Sequence, residues 1–409
     1  MTKTVDRAVD GLFDDHLLEF DRHCREAAGG LREAGLRLDQ DPAATGHLLG
    51  LPAVQLLQNT FLPPEYRGGS YLPAGNVASG AWCVEWAIVM ERLSYGDPGV
   101  VLASPGASLS GGAVLTLGDD AQRDWFFGRL VEAPTWTFFG LTEPAKGSAV
   151  IELETKLTSA ADGGWRLDGR KRYVGNGSRA QIGVAFCRRA PGPWGIEAVL
   201  VDTAEPGFGG EMLPSLGLRG AGISQLTFTG IQVPPERVLG YRRPPSRRGL
   251  YGALQTLMRA RPTIATMALG VTQAVLDYVG EQRPAPSRHD QWRLDELIDR
   301  TAATRRLTYE VAADIDRGTI NPHRIGGVKM RAARLAEQTT LLAAELLGPA
   351  SLIEHPWLEK AHRDVRAFEL MEGTSNIHRL SVFQGMLKND FLPSATPGRA
   401  NGSSHADRR

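Results

Sequence analysis

Hydrophobic positions along the chain follow a helical period near both ends and a strand-like pattern in the middle. Apolar residues recur at three- and four-residue steps within residues 80–97 and again from Ile264 to Tyr278, which predicts amphipathic helices. Between about 131 and 245, short β-branched and aromatic runs such as GWRLDGRKRYV and QLTFTGIQV are separated by Gly, Pro and Asp, as in strands. Helices followed by strands and then helices favour an α+β fold with a mostly antiparallel sheet.

This pattern divides the 409 residues into three predicted domains and a tail. We expect an α-helical domain over 1–130, a β domain over 131–245 and a second helical domain over 246–392. The last segment, 393–409, is rich in Pro, Gly and Ser and is expected to be disordered. Within the β domain, Asp168-Gly169 between two apolar runs predicts a two-residue hairpin turn.

Composition excludes several classes of function. Basic and acidic residues number 46 each, so the net charge argues against general binding to nucleic acid or membranes. The N-terminus lacks the apolar segment of a signal peptide, and no apolar run approaches the length of a membrane span. Cys24, Cys83 and Cys187 are few and far apart, which favours buried thiols and a cytoplasmic location. The nine histidines show no metal-ligand spacing, so no metal is expected.

A glycine-rich segment, GNGSRA at residues 175–180, matches the GxGxxA form of a dinucleotide fingerprint. That motif requires a helix directly after the glycines, because the pyrophosphate rests on the helix N-terminus. The following run, QIGVAF, is typical of a strand. We therefore interpret the glycines as a turn between strands and reject a nicotinamide site.

Four segments, in this order, resemble signatures of the acyl-CoA dehydrogenase family: FGLTEPAKGS (139–148), GRKRYVGNG (169–177), LGLRG (216–220) and LEKAHRDVRAFELMEGTSNIHR (358–379). The resemblance spans residues from about 15 to 392. It implies an N-terminal helical domain, a central antiparallel β-barrel-like domain and a C-terminal four-helix bundle. It also implies FAD as cofactor, an acyl thioester as substrate and a homodimer or homotetramer.

The proposed chemistry needs a base. Oxidising a saturated acyl chain removes an α-proton and a β-hydride, which requires one positioned base and a two-electron acceptor. The resemblance assigns the base to Glu372 of the Glu-Gly-Thr-Ser motif. Some family members carry it near Ala260 instead, but LMRARPTI at 257–264 contains no carboxylate. The alternative interpretation of Glu372 is an exposed acid in a turn, with Thr374 or Ser375 capping the next helix.

The remaining site residues are also implied by the resemblance. Thr142 is expected to donate its hydroxyl to the flavin, and Tyr173 to pack on the flavin ring. For Phe139 and Tyr173, plain core packing is an equal alternative, and Arg261 could instead form an ion pair with an acid such as Glu236. The full cofactor-binding set is Phe139, Leu141, Thr142, Gly147, Ser148, Tyr173, Gly175, Thr374 and Asn376. The substrate-binding set is Ser148, Arg261 and Gly373.

The sequence departs from the family pattern at several positions. Gly175 replaces a Thr or Ser that usually donates near the reactive flavin nitrogen. GEQRPAPSRHDQW (280–292) replaces an Arg-x-Phe-Gly segment, and ELLGP (345–349) replaces Gln-x-x-Gly-Gly. Both family segments reach the adenine end of the flavin. Met258 and Ala149 stand where CoA-using relatives often carry acids.

These departures bear on the substrate. Basic residues near the predicted domain junctions could hold the phosphate of CoA or an acidic acyl-carrier protein; alternatively they form a solvated loop. They are Lys146, Arg242, Arg243, Arg247 and Arg248. The chain resembles divergent members that act on carrier-protein substrates in secondary metabolism, including polyketide extender-unit synthesis. A flavin-dependent oxidase or monooxygenase and a non-catalytic binding paralogue are the alternatives, and nothing in the sequence indicates the electron acceptor.

Overall fold

The computed structural model describes residues 9, 11–67, 82–147, 149–161 and 163–391. The predicted tail at 393–409 and the candidate site residue Ser148 lie outside the described residues. Three layers follow each other along the chain, namely helices, a curled sheet and longer helices. The expected α+β fold is therefore confirmed, while the domain boundaries stay a prediction.

The N-terminal helices begin where short polar side chains satisfy unpaired backbone N–H groups. The Asp14 carboxylate accepts a hydrogen bond from Leu17 N (2.9 Å) at the start of the helix Asp15–Ala27, and Asp119 and Gln122 form a capping box on the helix Asp120–Glu132. The helices are α1 (Asp15–Ala27), α2 (Leu31–Gln40), α3 (Pro52–Phe61), α4 (Trp82–Gly96), α5 (Pro98–Ala103), α6 (Ser108–Leu117) and α7 (Asp120–Glu132).

A seven-stranded sheet follows, in the order β1-β4-β2-β3-β7-β6, with β5 pairing on β4. The pairs β1–β4 and β2–β4 are parallel, and the other pairs in this sheet are antiparallel. One face of the sheet packs on α6 and α7 through a shared apolar cluster. The strands are β1 (Thr137–Gly140), β2 (Lys156–Ser159), β3 (Trp165–Val174), β4 (Ile182–Arg188), β5 (Ile196–Asp202), β6 (Phe208–Met212) and β7 (Ser224–Val233).

The predicted hairpin turn at Asp168-Gly169 is wrong, because both residues lie inside β3. The Asp168 carboxylate accepts a hydrogen bond from Gly230 N (2.7 Å) on β7, and the pairing register shifts beside it. Gly169 has φ 148°, and a Cβ there would lie 2.6 Å from the Thr155 Cα. The Asp-Gly pair thus marks a β-bulge and a close backbone approach rather than a turn.

The C-terminal helices form a bundle around the long helix α8, which packs against both α4 and α10. A large apolar cluster continues from the N-terminal helices into this bundle, so the two helical layers share one core. The helices are α8 (Gly249–Gln282), α9 (Arg288–Asp316), α10 (Pro322–Leu347), α11 (Ser351–Glu354), α12 (Pro356–Leu370) and α13 (Ser375–Leu387).

Two further expectations concern the cysteines and the glycine-rich segment. Cys24, Cys83 and Cys187 are buried free thiols, as predicted, and burial raises the pKa of each. Residues 175–179 form turns and β4 follows them, so the helix that a dinucleotide fingerprint needs is not there. In the described part of the chain, every helix is too short or too polar to cross a bilayer.

Candidate active site

The turn between α12 and α13 carries the predicted base in an unusual backbone conformation. Glu372 has φ 54° and Gly373 has φ 102°, so two consecutive residues lie in the left-handed region. Glycine adopts this region freely, but a side chain such as that of glutamate costs roughly 1–2 kcal/mol there. Strain of this kind persists only where surrounding contacts fix it, and it concentrates at functional sites.

Two cations approach this turn from neighbouring helices. Arg261 on α8 donates from Nε to the Glu372 carbonyl oxygen (3.0 Å), and Lys329 on α10 donates from Nζ to the Gly373 carbonyl oxygen (2.6 Å). Burial raises the pKa of the Glu372 carboxyl above its ordinary value, against the opposing charges of Arg261 and Lys329. A carboxylate with a raised pKa is a stronger base than an exposed one, which suits proton abstraction.

The start of α13 is capped differently from the sequence expectation. Thr374 occupies the N-cap position, but its side chain makes no capping hydrogen bond. Instead, the Glu369 carboxylate accepts hydrogen bonds from Ser375 N (2.8 Å) and from the Ser375 hydroxyl. The expectation that Thr374 or Ser375 caps the helix with its own side chain is therefore wrong. Asn376 is exposed and accepts a hydrogen bond from Arg379 Nη1 (3.0 Å).

The second group of predicted residues lies where β1 and β3 end. Leu141 is buried, Thr142 is half-buried, and the Thr142 carbonyl accepts a hydrogen bond from Arg172 N (2.9 Å). This bond brings the first two motif segments side by side. Phe139 is half-buried and packs against Phe186 with ring centroids 5.0 Å apart, as the core-packing alternative expects, and its contact with the flavin stays a prediction.

A buried ion pair holds the loop after β1 against β3. Lys171 donates from Nζ to the Glu143 carboxylate (2.8 Å) and to the Leu141 carbonyl (3.2 Å). Glu143 also accepts from Glu154 N (2.6 Å) and Thr155 N (2.9 Å). Burial alone would raise the pKa of Glu143, but the ammonium and the backbone donors hold it below its ordinary value.

Tyr173 and two glycines leave an open surface at the same place. Tyr173 is 61% exposed, so its ring does not pack in the core. Its backbone is left-handed, with φ 63°. Gly147 is exposed, and a Cβ added to it would meet no atom within 4 Å. A Cβ added to Gly175 would have the Ala221 carbonyl oxygen as its nearest neighbour, at 3.9 Å. A planar ligand could therefore approach the backbone here closely.

A chain of contacts ties this open surface to α12, the helix that precedes Glu372. Asn176 donates from its backbone N to the Ala221 carbonyl (2.8 Å), and Leu218 N donates to the Asp364 carboxylate (2.6 Å) on α12. Lys360 bridges Asp364 and Asp97 at 2.6 Å each. The β3 turn, the 218–221 loop and α12 are thus held together, with Glu372 two residues beyond the end of α12.

Two models of the acyl-CoA dehydrogenase family match the chain: the middle domain over residues 138–231 and the C-terminal domain over 247–387. The chain belongs to the acyl-CoA dehydrogenase family. Mitochondrial isovaleryl-CoA dehydrogenase of Oryza sativa subsp. japonica is 29% identical over 316 residues, covering 74% of this chain and 76% of the relative.

Two solved structures illustrate the fold of the acyl-CoA dehydrogenase family. Butyryl-CoA dehydrogenase from Megasphaera elsdenii superposes with a TM-score of 0.81 at 23% identity, covering 92% of this chain and 99% of that one. The prolyl acyl carrier protein oxidase AnaB superposes with a TM-score of 0.72 at 21% identity, covering 94% and 97%. Membership of the family confirms the expected enzyme class, an oxidoreductase that uses FAD.

The residues where β1 and β3 end suit the flavin of an acyl-CoA dehydrogenase. Tyr173 presents an exposed aromatic face, Thr142 a half-buried hydroxyl, and Gly147 and Gly175 uncovered backbone. Such groups match a planar ring with a polar edge.

The two segments that depart from the acyl-CoA dehydrogenase pattern lie against each other. Arg283 of the first segment donates to the Leu346 carbonyl of the second, and Arg293, directly after the first segment, forms an ion pair with Glu345 (2.6 Å). Several predicted basic residues are likewise engaged within the chain. Lys146 pairs with Glu152 (2.7 Å) and Arg248 with Glu197 (3.1 Å), whereas Arg242 and Arg247 are exposed.

Sequence reasoning missed Glu143, Lys171, Lys329 and Glu369 as supports of the candidate site. Glu143 and Lys171 both fall within the motif segments, so their charge complementarity was a usable signal. Lys329 is a lone lysine on the helix α10, and only the folded structure brings it 2.6 Å from the Gly373 carbonyl oxygen. Arg261 contacts Glu372 rather than forming the ion pair with Glu236 that was the alternative.

Proposed function

We propose that this protein is a dehydrogenase that oxidises an acyl thioester between its α- and β-carbons, with Glu372 as the base. The Glu372 carboxylate takes the proton from the α-carbon. The electron pair of that broken C–H bond forms the new α–β double bond, while the β-carbon loses a hydride. FAD, when bound, supplies the two-electron acceptor for that hydride. Glu372 then holds the proton until it returns to solvent.

The observation that carries this proposal is the state of Glu372. It is a half-buried carboxylate in a left-handed turn, and burial raises its pKa while Arg261 holds its backbone. Glycine would fill such a left-handed turn at a lower conformational cost than glutamate, so a role for the acid itself explains its presence. We propose Thr142, Tyr173, Gly147, Gly175, Leu141, Thr374 and Asn376 as flavin contacts, with Ser148 shared between flavin and substrate.

The acyl group could arrive on CoA or on an acyl-carrier protein. The relative in rice is named for a CoA substrate, and AnaB for a carrier protein. Exposed Arg242 and Arg247 could hold a phosphate of either carrier. Arg261 and Gly373 line the turn where the thioester would lie. We propose the carrier-protein branch, with a role in secondary metabolism such as polyketide extender-unit synthesis, in a reducing cytoplasm that suits the free thiols.

A flavin-dependent oxidase is the second candidate, because AnaB is named as one. Both candidates predict substrate-dependent reduction of the flavin without oxygen. They differ once air is admitted: an oxidase consumes oxygen and releases hydrogen peroxide at the rate of turnover. A protein that never binds FAD would instead support a non-catalytic binding role.

We also propose that the protein is a homodimer or homotetramer. Helix α13 buries one face on α10, through His378, Gly385 and Ser381, the last of which lies 2.9 Å from His323. Its opposite face exposes a contiguous row of large apolar side chains. These are Ile377, Leu380, Phe383, Met386 and Leu387. An uncovered apolar row of this kind marks a protein interface, and a second copy would cover it symmetrically.

The decisive test is anaerobic titration of the purified protein with acyl-CoA and acyl-carrier thioesters, followed by visible flavin absorbance. The wild type should bleach with one carrier class. Glu372→Gln should retain flavin but bleach about 10²–10⁴-fold more slowly, because it lacks the base. Glu354→Gln, at an exposed acid on α11, is the matched control. If Glu372→Gln bleached at the wild-type rate, Glu372 would not be the base.

A further inference from the structure

Lys329 on α10 contacts the base-bearing turn on both of its sides. Its ammonium donates to the Glu369 carbonyl (3.0 Å), before Glu372, and to the Gly373 carbonyl (2.6 Å), after it. The side chain is 0% exposed, so both bonds form away from water. Arg261 adds a third contact, to the carbonyl of Glu372 itself (3.0 Å). Three parts of the turn are therefore held by cations from two different helices.

We propose that Lys329 is a positioning residue that clamps the backbone on either side of Glu372 and so fixes where its carboxylate lies. This inference rests on the proposed function, since it assigns Lys329 a role in the reaction of Glu372. The clamp bonds to carbonyl oxygens rather than to the carboxylate. The carboxylate thus stays able to take a proton, whereas a direct ion pair would occupy it.

Burial of an ammonium group is costly, which separates this arrangement from ordinary packing. Burial lowers the pKa of Lys329 to about 8, against the opposing charges of Glu369 and Glu372. A methionine would fill the same space without that cost. The lysine charge instead stabilises the Glu369 carbonyl in the last turn of α12 and the Gly373 carbonyl in the turn that follows.

The charge of Lys329 also acts on the protonation of Glu372. The charged and titratable groups that contact this turn are Arg261 on α8, Lys329 on α10, Glu369 on α12 and His378 on α13. Arg261 and Lys329 lower the pKa of Glu372 against the effect of burial. Removing the Lys329 charge should therefore raise that pKa, and a base with a higher pKa becomes active only at higher pH.

The test compares Lys329→Met with Lys156→Met, which removes an exposed lysine on β2. We expect Lys329→Met to lower the maximal rate of flavin bleaching about 10–100-fold with little change in substrate affinity, because binding and positioning are separable. The acidic limb of its pH–rate profile should move to higher pH. Lys329→Arg, which keeps the charge, should restore the limb. If Lys329 only stabilised the fold, Lys329→Met would lower thermal stability and leave the acidic limb of the pH–rate profile of the folded enzyme unchanged.

Hydrogen exchange followed by mass spectrometry gives a readout that needs neither substrate nor activity. Peptides covering residues 368–380 should exchange at least about tenfold faster in Lys329→Met than in Lys156→Met, because the clamp opens. Equal exchange and an unmoved pH limb would overturn the proposal. If Lys329→Met fails to fold, Lys329→Gln, which removes the charge but keeps a donating NH₂ group, takes its place in both measurements. If none of the thioesters bleached the flavin of the wild type, the proposed function would be refuted. The exchange data would still show whether Lys329 fixes the turn.

Discussion

His378 lies beneath the Glu372 turn as a buried imidazole. It is 2% exposed, and its Nδ1 lies only 2.7 Å from where a Cβ on Gly326 of α10 would sit. Burial, together with the charges of Arg261 and Lys329, lowers the pKa of His378 to about 4. The imidazole is therefore neutral at physiological pH, and the turn rests on an uncharged side chain beside two cations.

This neutral imidazole should make the fold sensitive to acid. The folded-state pKa is below the unfolded one, so the unfolded chain binds a proton first as the pH falls through about 6.5. Relative to His378→Gln, the wild type should lose about 2 kcal/mol of unfolding free energy between pH 7.5 and 5. Urea denaturation at both pH values measures this loss. His289→Gln, at an exposed histidine on α9, should track the wild type; if His378→Gln did so as well, His378 would not be buried neutral.

At the scale of single elements, β1 and β3 are joined by the buried pair Glu143–Lys171. The pair connects the loop after β1 to the strand that ends just after Tyr173, and Glu143 reaches the backbone before β2 as well. Three separate segments thus meet on one carboxylate. The residues proposed to contact the flavin ring lie on these segments, so the Glu143–Lys171 pair fixes their relative positions.

Removing one partner of this pair should be more harmful than removing both. Lys171→Met leaves the Glu143 charge buried without its cation, which typically costs about 3–5 kcal/mol of unfolding free energy. Lys171→Met combined with Glu143→Gln should recover part of that loss and part of the FAD content. Denaturant titration and flavin absorbance per chain measure the two effects, with Lys156→Met as control. If the double variant were less stable than Lys171→Met, the buried charge would not be the cause.

The limits of sequence-based prediction are clearest at the element scale. The period of apolar positions and the four motif segments correctly indicated the order of layers and the family. The hairpin at Asp168-Gly169 was wrong because a bulge and a turn both favour an Asp-Gly pair, and only the approach of Thr155 distinguishes them. The cap on α13 was misassigned because Glu369 reaches it from six residues earlier, across a turn whose left-handed course local sequence does not fix.

At the scale of the whole molecule, ionic contacts join all three layers. Lys360 bridges Asp97, between α4 and α5, to Asp364 on α12, and Asp364 also accepts from Leu218 N in the loop before β7. Arg363, its neighbour, pairs with Asp39 on α2 (2.7 Å). The end of the bundle that carries Glu372 is thus anchored to both the N-terminal helices and the β layer.

The apolar row on α13 predicts the response of the assembly to a charge. Leu380 is 61% exposed in the single chain, and Leu380→Asp should weaken self-association at least about tenfold because it places a charge in an apolar interface. Sedimentation velocity over a concentration series measures the shift to smaller species. Leu18→Asp, at a leucine on α1 that is 53% exposed, is the control. An unchanged distribution for Leu380→Asp would place the interface elsewhere.

The left-handed backbone at Glu372 has a consequence for descent. Glycine and asparagine suit that conformation better than glutamate does, so a copy of this chain that no longer needed an acid there would gain stability by drifting to either residue. The residue at position 372 therefore indicates whether a related chain still needs the acid. A descendant that keeps glutamate against the conformational cost is under selection for the acid, and one that carries glycine or asparagine has been released from it.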